Sequence, residues 1–161
     1  MEIRHAGSED APAIRGIAKQ SWEADYPDIL HRENVDDVVN EWYDEDRIRD
    51  EIRNEDAIVV VAEDDGDIVG FAHGIWARRT GHMLRVYVAP DHRGQGIGGT
   101  LLATLRDSLL KRGSDHIQAM VLAENEAGNE FYRQAGFEKV DEGETTIGGE
   151  AYTENVYRRQ P

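Results

Sequence analysis

Hydrophobic and polar positions recur along this chain with two periods, and together they predict a fold of helices and strands. Apolar residues spaced three and four apart predict helices, most clearly in the leucines at 101–109. A run of β-branched residues at 57–62 predicts a buried strand. Asp65-Gly66, which follows that strand, is typical of a hairpin turn and places a partner strand directly after it.

The whole chain follows the order βααβββαβαββ. Strands are predicted at 2–6, 57–62, 68–76, 82–89, 116–122, 137–146 and 151–157. Helices are predicted from Ser8 onward, as one or two acidic helices at 33–54, and at 96–112 and 126–134. Two further turns are predicted at Thr80-Gly81 and Gly148-Gly149. This order predicts an α/β or α+β fold, a mixed sheet with helices packed on it, as a single domain over residues 1–161.

Length and composition narrow the class of protein. The 161 residues include no cysteine, which excludes a disulfide framework, a thiolate metal site and a cysteine nucleophile. No apolar run approaches the ~20 residues that span a bilayer, and the N-terminus lacks the basic and apolar regions of a signal peptide. We therefore expect a cytoplasmic enzyme or binding module without a membrane partner.

The formal charge of −15 is concentrated in one part of the chain. Residues 23–67 hold 18 acids and 4 bases, whereas residues 73–113 hold 7 bases and 2 acids. Nucleic-acid binding needs a basic face, so this composition argues against it. A local site for an anion in the 73–113 region agrees with the charge pattern.

The segment most informative about chemistry joins a strand that ends at Pro90 to a leucine-rich helix. Four glycines, Gly94, Gly96, Gly98 and Gly99, fall within six residues of this junction. Glycines allow tight turns and a close approach of backbone N–H groups to a ligand. The first N–H groups of a helix have no intrahelical partner and lie at the positive end of its dipole. This arrangement predicts a pyrophosphate cradle.

Two other phosphate-binding motifs do not fit. A P-loop has Gly-Lys-Ser/Thr at the helix start, and residues 98–100 contain no lysine. A dinucleotide fold places its glycine turn after the first strand, with an acid about 20 residues on, whereas this turn follows the fourth strand. On glycine spacing alone, a tight turn without a ligand stays open.

The motifs of this region resemble the GCN5-related N-acetyltransferase (GNAT) family. Residues 93–98, Arg-Gly-Gln-Gly-Ile-Gly, match the acetyl-CoA motif of that family, Gln/Arg-x-x-Gly-x-Gly/Ala, and the preceding Val-Tyr-Val strand at 86–88 also matches. A second family block follows at 125–132, Asn-Glu-Ala-Gly-Asn-Glu-Phe-Tyr, with Gly136-Phe137 after it. The resemblance is detailed over 84–137 and extends to the element order of the whole chain.

The resemblance implies a fold, an activity and a set of partners. The fold is a central, mostly antiparallel mixed sheet flanked by helices. The activity is transfer of an acetyl group from acetyl-CoA to a primary amine, by direct attack in a ternary complex. The acceptor is a small-molecule amine or a protein N-terminus or lysine. A noncatalytic acyl-CoA-binding or regulatory module on the same fold is the alternative. Dimers are common in the family, so a homodimer is among the expected assemblies.

The resemblance also implies roles for individual residues. The strand at 86–88 contacts the pantetheine arm through its backbone, and one of its N–H groups polarises the thioester carbonyl. The loop at 93–99 holds the pyrophosphate, although Arg93 is equally interpretable as a surface charge. Asn125 bonds the cofactor or substrate, caps the following helix, or does both. The expected acetyl-CoA-binding residues are Val86, Tyr87, Val88, Arg93, Gly94, Gln95, Gly96, Ile97, Gly98, Gly99, Asn125 and Asn129.

Tyr132 is the expected catalytic residue, because a positioned phenol protonates or hydrogen-bonds the departing thiolate. Some family members carry a glutamate on the strand that here has Leu84 and Arg85, so the general base is open, with Glu23, Asp25, His73 and His82 as candidates. No spacing of His, Asp or Glu indicates a metal. The expected acceptor-site residues are Trp22, Glu23, Asp25, Tyr26 and His73, with the aromatic pair packing on the sheet as the other interpretation.

The acidity also predicts a response to salt. The 18 basic residues include only three lysines, Lys19, Lys111 and Lys139, and an acidic, lysine-poor surface is typical of a high-salt cytoplasm. If the protein is adapted to salt, its melting temperature should rise through a KCl series, because ions screen the self-repulsion of residues 23–67. A melting temperature that does not change with KCl concentration would contradict salt adaptation. Recruitment of a cationic substrate would then explain the excess of acidic residues.

Overall fold

The computed structural model describes the backbone of residues 1–25 and 32–160 and the side chains of residues 1–24 and 37–160. Its helices are α1 Ala11–Asp25, α2 Arg32–Trp42, α3 Glu45–Arg53, α4 Ile97–Lys111 and α5 Glu126–Gln134. Its strands are β1 Glu2–His5, β2 Ala57–Asp64, β3 Asp67–Ala77, β4 Thr80–Val88, β5 His116–Leu122, β6 Glu138–Ile147 and β7 Glu150–Arg159. No helix among these described residues is both long and apolar enough to cross a bilayer.

All seven strands join one sheet in the order β1-β2-β3-β4-β5-β7-β6. Neighbouring strands run antiparallel except β4 and β5, which run parallel. The sheet separates two apolar cores, one against α1, α2 and α3 and the other against α4 and α5. Val59 and Val61 face the first core, whereas Ile58 and Val60 face the second. Burial on both faces explains why this strand is an unbroken apolar run in the sequence.

The predicted mixed, mostly antiparallel sheet with flanking helices is confirmed, with one helix more than the predicted order. The acidic segment at 33–54 forms two helices rather than one, so three helices lie between β1 and β2. The break lies at Asp44, whose carboxylate accepts a hydrogen bond of 3.3 Å from the Arg47 N–H and caps α3.

The turn predicted at Thr80-Gly81 is wrong. The chain turns at residues 78–79, where Arg78 takes a φ of +58°, and Thr80 already belongs to β4. Gly81 is needed for packing instead: a Cβ there would lie 2.8 Å from Ile117 Cδ1 and 3.2 Å from Leu109 Cβ. A glycine that lets a helix approach a strand closely carries the same sequence signal as one that forms a turn.

A β-bulge in β4 separates the two central strands. Gly74 pairs with Met83 and His73 with Arg85, so Leu84 has no opposite residue in β3. On its other edge, β4 pairs with β5 only as far as Met83 and Ala119. Beyond the bulge the two parallel strands diverge, while β3 and β7 continue to pair with their outer edges. The result is a slot through the middle of the sheet.

Candidate active site

The slot opens into a cavity of about 680 Å³. Its walls are residues 84–88 of β4 and 120–122 of β5, with the start of α4 and the inner face of α5 at one end. At the other end it reaches Trp22 on α1 and Trp42 on α2. The cavity therefore connects the two faces of the sheet through the gap between β4 and β5.

The loop before α4 has the geometry of an anion cradle. Gly94 and Gly96 both have a φ of +79°, the left-handed region that favours glycine, and Gly96 is the N-cap of α4. No heavy atom lies within 4 Å of a Cβ built on Gly94, Gly96 or Gly99, so this side of the loop is open. The first-turn N–H groups of α4 face the same space. These residues fit the pyrophosphate of acetyl-CoA.

The residues on either side of the cradle differ in their contacts and in whether they line the cavity. Arg93 Nε donates a hydrogen bond of 3.3 Å to the carbonyl of Val88, which ties the loop to β4. His92 also lines the cavity, and its buried Nδ1 has no hydrogen-bond partner among the described residues. Ile97 is buried in the core, and Gln95 is exposed outside the cavity wall.

Tyr87 shows which way β4 faces. Its hydroxyl accepts a hydrogen bond of 3.0 Å from Trp22 Nε1 and lies 3.4 Å from the hydroxyl of Tyr43. The Tyr87 ring thus points toward α1 and α2, and this residue meets the slot with its backbone. Val86 and Val88, one residue to each side, pack with the core beneath α4.

Tyr132 lies on α5 at the edge of the slot. It is 7% exposed, stacks on Tyr157 at a centroid distance of 6.1 Å and meets Phe137 edge-on at 5.3 Å. This aromatic cluster fixes the phenol in the cavity wall. The structure therefore brings the expected catalytic tyrosine to the same cavity as the cradle and the free edge of β4.

Two asparagines hold α5 in place. Asn125 Oδ1 accepts a hydrogen bond of 2.9 Å from the Gly128 N–H, which makes Asn125 the N-cap of α5 while it also lines the cavity. Asn129 lies outside the cavity wall, and it is buried. Its Nδ2 donates to the carbonyls of Leu122 and Asn125, and its Oδ1 accepts from Tyr157. Asn129 thus ties β5, the start of α5 and β7 together.

Comparison with known proteins shows the family of this chain. Residues 13–137 match the model of the acetyltransferase (GNAT) family, which is most of the chain. The chain belongs to the GNAT family. The resemblance stated from the motifs is therefore confirmed, as are the acetyltransferase activity and the use of acetyl-CoA as donor.

Individual GNAT proteins are similar over nearly the full length. The chain is 28% identical over 145 residues to a spermidine N(1)-acetyltransferase of Thermoplasma acidophilum, covering 88% of this chain and 90% of that protein. The crystal structure of the PaiA N-acetyltransferase of Thermoplasma acidophilum in complex with coenzyme A superposes with a TM-score of 0.89 at 26% identity, covering 99% and 98% of the two chains. A ribosomal-protein-alanine N-acetyltransferase of Brucella melitensis superposes at 0.73 with 28% identity, covering 100% of each.

Of the expected acceptor-site residues of this GNAT protein, the structure places one in the cavity wall. Trp22 is buried and meets Trp42 edge-on at 5.8 Å. Glu23 is exposed and lines a separate shallow depression with Pro90. The side chain of Asp25 and all of Tyr26 lie outside the described residues. His73 is buried and is not part of the wall.

His73 instead belongs to a charged cluster behind β4. Arg85, which lines the cavity, places Nη1 2.8 Å from both Glu51 Oε2 and His73 Nδ1. The guanidinium also lies 5.1 Å from the ring centre of Tyr43. Since arginine can only donate, His73 Nδ1 accepts and its proton is on Nε2. Burial, and then the charge of Arg85, lowers the pKa of His73 to about 3, so the contact with Glu51 is not an ion pair.

The structure also adds cavity residues that the motifs did not indicate. In the sequence, Arg85 was noted only together with Leu84, on the strand where some family members carry a glutamate. Glu154 on β7 was not singled out, because it lies more than 20 residues beyond the second motif. Burial raises the pKa of the Glu154 carboxyl, and this residue shares the cavity with Arg85 and Tyr132.

The buried His73 predicts a pH dependence of stability. The unfolded imidazole takes up a proton below its ordinary pKa of 6.5, whereas the folded one stays neutral until about 3. The free energy of unfolding should therefore fall as the pH drops through this window. His73→Gln keeps an acceptor for Arg85 and removes the titration. Its slope should be shallower by up to about 1.4 kcal/mol per pH unit in urea unfolding. Equal slopes in the two proteins would contradict this.

Proposed function

We propose that this acetyltransferase acetylates a primary amine of a small cationic acceptor, by direct attack on acetyl-CoA in a ternary complex. The observation that carries the proposal is the continuous cavity, which joins the cradle before α4 to the space beside Trp22 and Trp42. Donor and acceptor can therefore occupy the protein together. The chain has no cysteine to carry the acetyl group as a thioester of the enzyme.

Different groups around the slot have different roles in the proposed reaction. When bound, acetyl-CoA supplies an acetyl group activated as a thioester. The backbone of β4 beyond Leu84 pairs with β3 on one edge only. Its other edge is available to a ligand, and we infer that one N–H on that edge stabilises the developing oxyanion. Tyr132 holds its phenol at the slot, where it donates a proton to a leaving sulfur.

Charge and aromatic surface favour a cationic acceptor. Residues 23–67, with 18 acids against 4 bases, supply α2 and α3 on the face where the acceptor end of the cavity lies. The indole rings of Trp22 and Trp42 line that end and suit an ammonium group. The similarity to a spermidine N(1)-acetyltransferase supports a polyamine as the acceptor.

A protein N-terminus is the second candidate acceptor, favoured by the similarity to a ribosomal-protein-alanine N-acetyltransferase. A noncatalytic acyl-CoA-binding module is the alternative from another class. We also propose a homodimer, which the family resemblance alone supports. A cytoplasmic location is proposed from the composition alone.

One experiment separates these candidates. Calorimetry should show binding of acetyl-CoA, and a thiol-release assay should then be run over spermidine, spermine, putrescine, an aminoglycoside and an alanine-initiated peptide. We expect turnover on the polyamines. Turnover confined to the peptide would move the acceptor to the protein class. Binding of acetyl-CoA without turnover on any amine would favour the noncatalytic module.

Tyr132→Phe tests the role of the phenol. Because the ring and its stacking on Tyr157 are kept, the variant should bind acetyl-CoA as the wild type does. Loss of the proton donor should lower kcat by about 10²-fold or more. Tyr152→Phe is the matched control, because the Tyr152 hydroxyl bonds to Glu150 and lies outside the cavity wall. An unchanged kcat in Tyr132→Phe would remove this residue from the mechanism.

A further inference from the structure

The cavity contains a carboxylate that the family motifs do not explain. Among the described residues that line it, Glu154 is the one acidic side chain. The lining bases are Arg85, His92 and Arg93. Arg85 is already paired with Glu51, and the other two lie at the cradle end. Among these residues, Glu154 is therefore the candidate to accept a proton from an ammonium group.

The strand geometry shows which way Glu154 faces. Side chains alternate along β7. Asn155 and Tyr157 both bond to Asn129, so they point toward α5. Glu154 must point to the opposite face, the one that carries α1 and α2. In register it lies opposite Leu122, which packs in the core of that face.

The slot thus has a phenol and a carboxylate on opposite sides. Tyr132 approaches from the face of α5, where it packs with the core beneath α4. Glu154 lies on the face of Trp22 and Trp42, where the proposed function places the acceptor. The reaction needs a proton donor beside the leaving sulfur and a proton acceptor beside the attacking nitrogen. These two atoms lie on opposite sides of the acetyl carbon, as Tyr132 and Glu154 lie on opposite sides of the slot.

The setting of Glu154 suits a base. It is half-buried, and its carboxylate has no hydrogen-bond or ion-pair partner among the described residues. Burial raises the pKa of this carboxyl above its ordinary value, which makes the carboxylate a stronger proton acceptor. Structural carboxylates such as Asp10, held by two hydrogen bonds from Arg4, show the opposite arrangement.

We propose that Glu154 is the catalytic residue that accepts the proton from the acceptor ammonium. The proposal rests on the proposed function and names the base for that reaction. The neighbouring wall residues from β5 and β6, Met120, Leu122, Thr145 and Ile147, do not titrate. The titratable and charged groups that share the cavity are Arg85 and Tyr87 on β4, His92 and Arg93 after it, and Tyr132 on α5. Tyr152 lies two residues before Glu154 on β7, outside the cavity wall.

The protons balance in two steps. Glu154 takes the first proton from the ammonium, directly or through one water, and passes it to solvent. The neutral amine forms the C–N bond to the acetyl carbon, and the C–S bond then breaks. Tyr132 gives its phenol proton to the departing sulfur. The nitrogen then loses a second proton, which returns to the Tyr132 oxygen. The products are the N-acetylated amine, the free thiol of coenzyme A and one proton.

Glu154→Gln tests this role with an almost unchanged shape. On the amine with highest wild-type turnover, kcat at neutral pH should fall by about 10²- to 10⁴-fold. The wild-type rate should rise with pH and level off once the carboxylate has formed, at a midpoint above the ordinary carboxyl range. The rate of the variant should instead keep rising toward the pKa of the free amine, because only solvent then removes the proton.

Controls keep the result interpretable. Glu144→Gln removes an exposed carboxylate on β6, outside the cavity wall, and should match the wild type. An unchanged melting temperature and acetyl-CoA affinity show that Glu154→Gln is folded. An unchanged kcat, or a change in KM alone, would overturn the role of Glu154 as base. Absence of turnover by the wild type on every amine would instead remove the proposed function, and this proposal with it.

Discussion

The structure depends on the loss of pairing between two parallel strands in the middle of the sheet. Beyond Met83 and Ala119, the facing edges of β4 and β5 have no ladder hydrogen bonds to each other. Residues 84–88 of β4 and 120–122 of β5 line the cavity instead, so a ligand can reach these strand edges. A bulge at Leu84 bends β4 away, and the outer strands hold each half of the sheet in place. The gap opens into the cavity in which the proposed function places acetyl-CoA.

Two polar networks keep the walls of this gap rigid. On one side, Asn129 joins the end of β5 to the cap of α5 and to β7, and so fixes the helix that carries Tyr132. On the other side, Arg85 is held by Glu51 and His73 behind β4. The Asn129 network is buried and the Arg85 network is partly buried, and away from water a hydrogen bond is stronger and a missing partner costs more than at the surface. These networks therefore hold the cavity walls through side chains other than Tyr132 and Glu154.

Most of the fold could be predicted from local patterns, because buried strands, caps and glycine turns are encoded within a few residues of one another. The β-branched run of β2 and the leucine face of α4 determine those elements directly. The turn predicted at Thr80-Gly81 was wrong because glycine serves two physical purposes. Gly81 has the sequence signal of a turn but is needed for close packing. Asn129, which the family block predicts as a cofactor contact, is buried and forms hydrogen bonds within the protein.

The sequence by itself determined the family, and it predicted the acetyl-CoA cradle and the catalytic tyrosine, because each is carried by a contiguous motif whose spacing survives folding unchanged. Only the tertiary structure decided which charged residues share the cavity with them. Glu154 lies 22 residues beyond Tyr132 along the chain and reaches the slot because β7 pairs with β5. His73 and Glu51 meet Arg85 through strand pairing and helix packing. Contacts of this kind depend on register between distant segments, for which a single sequence carries no local signal.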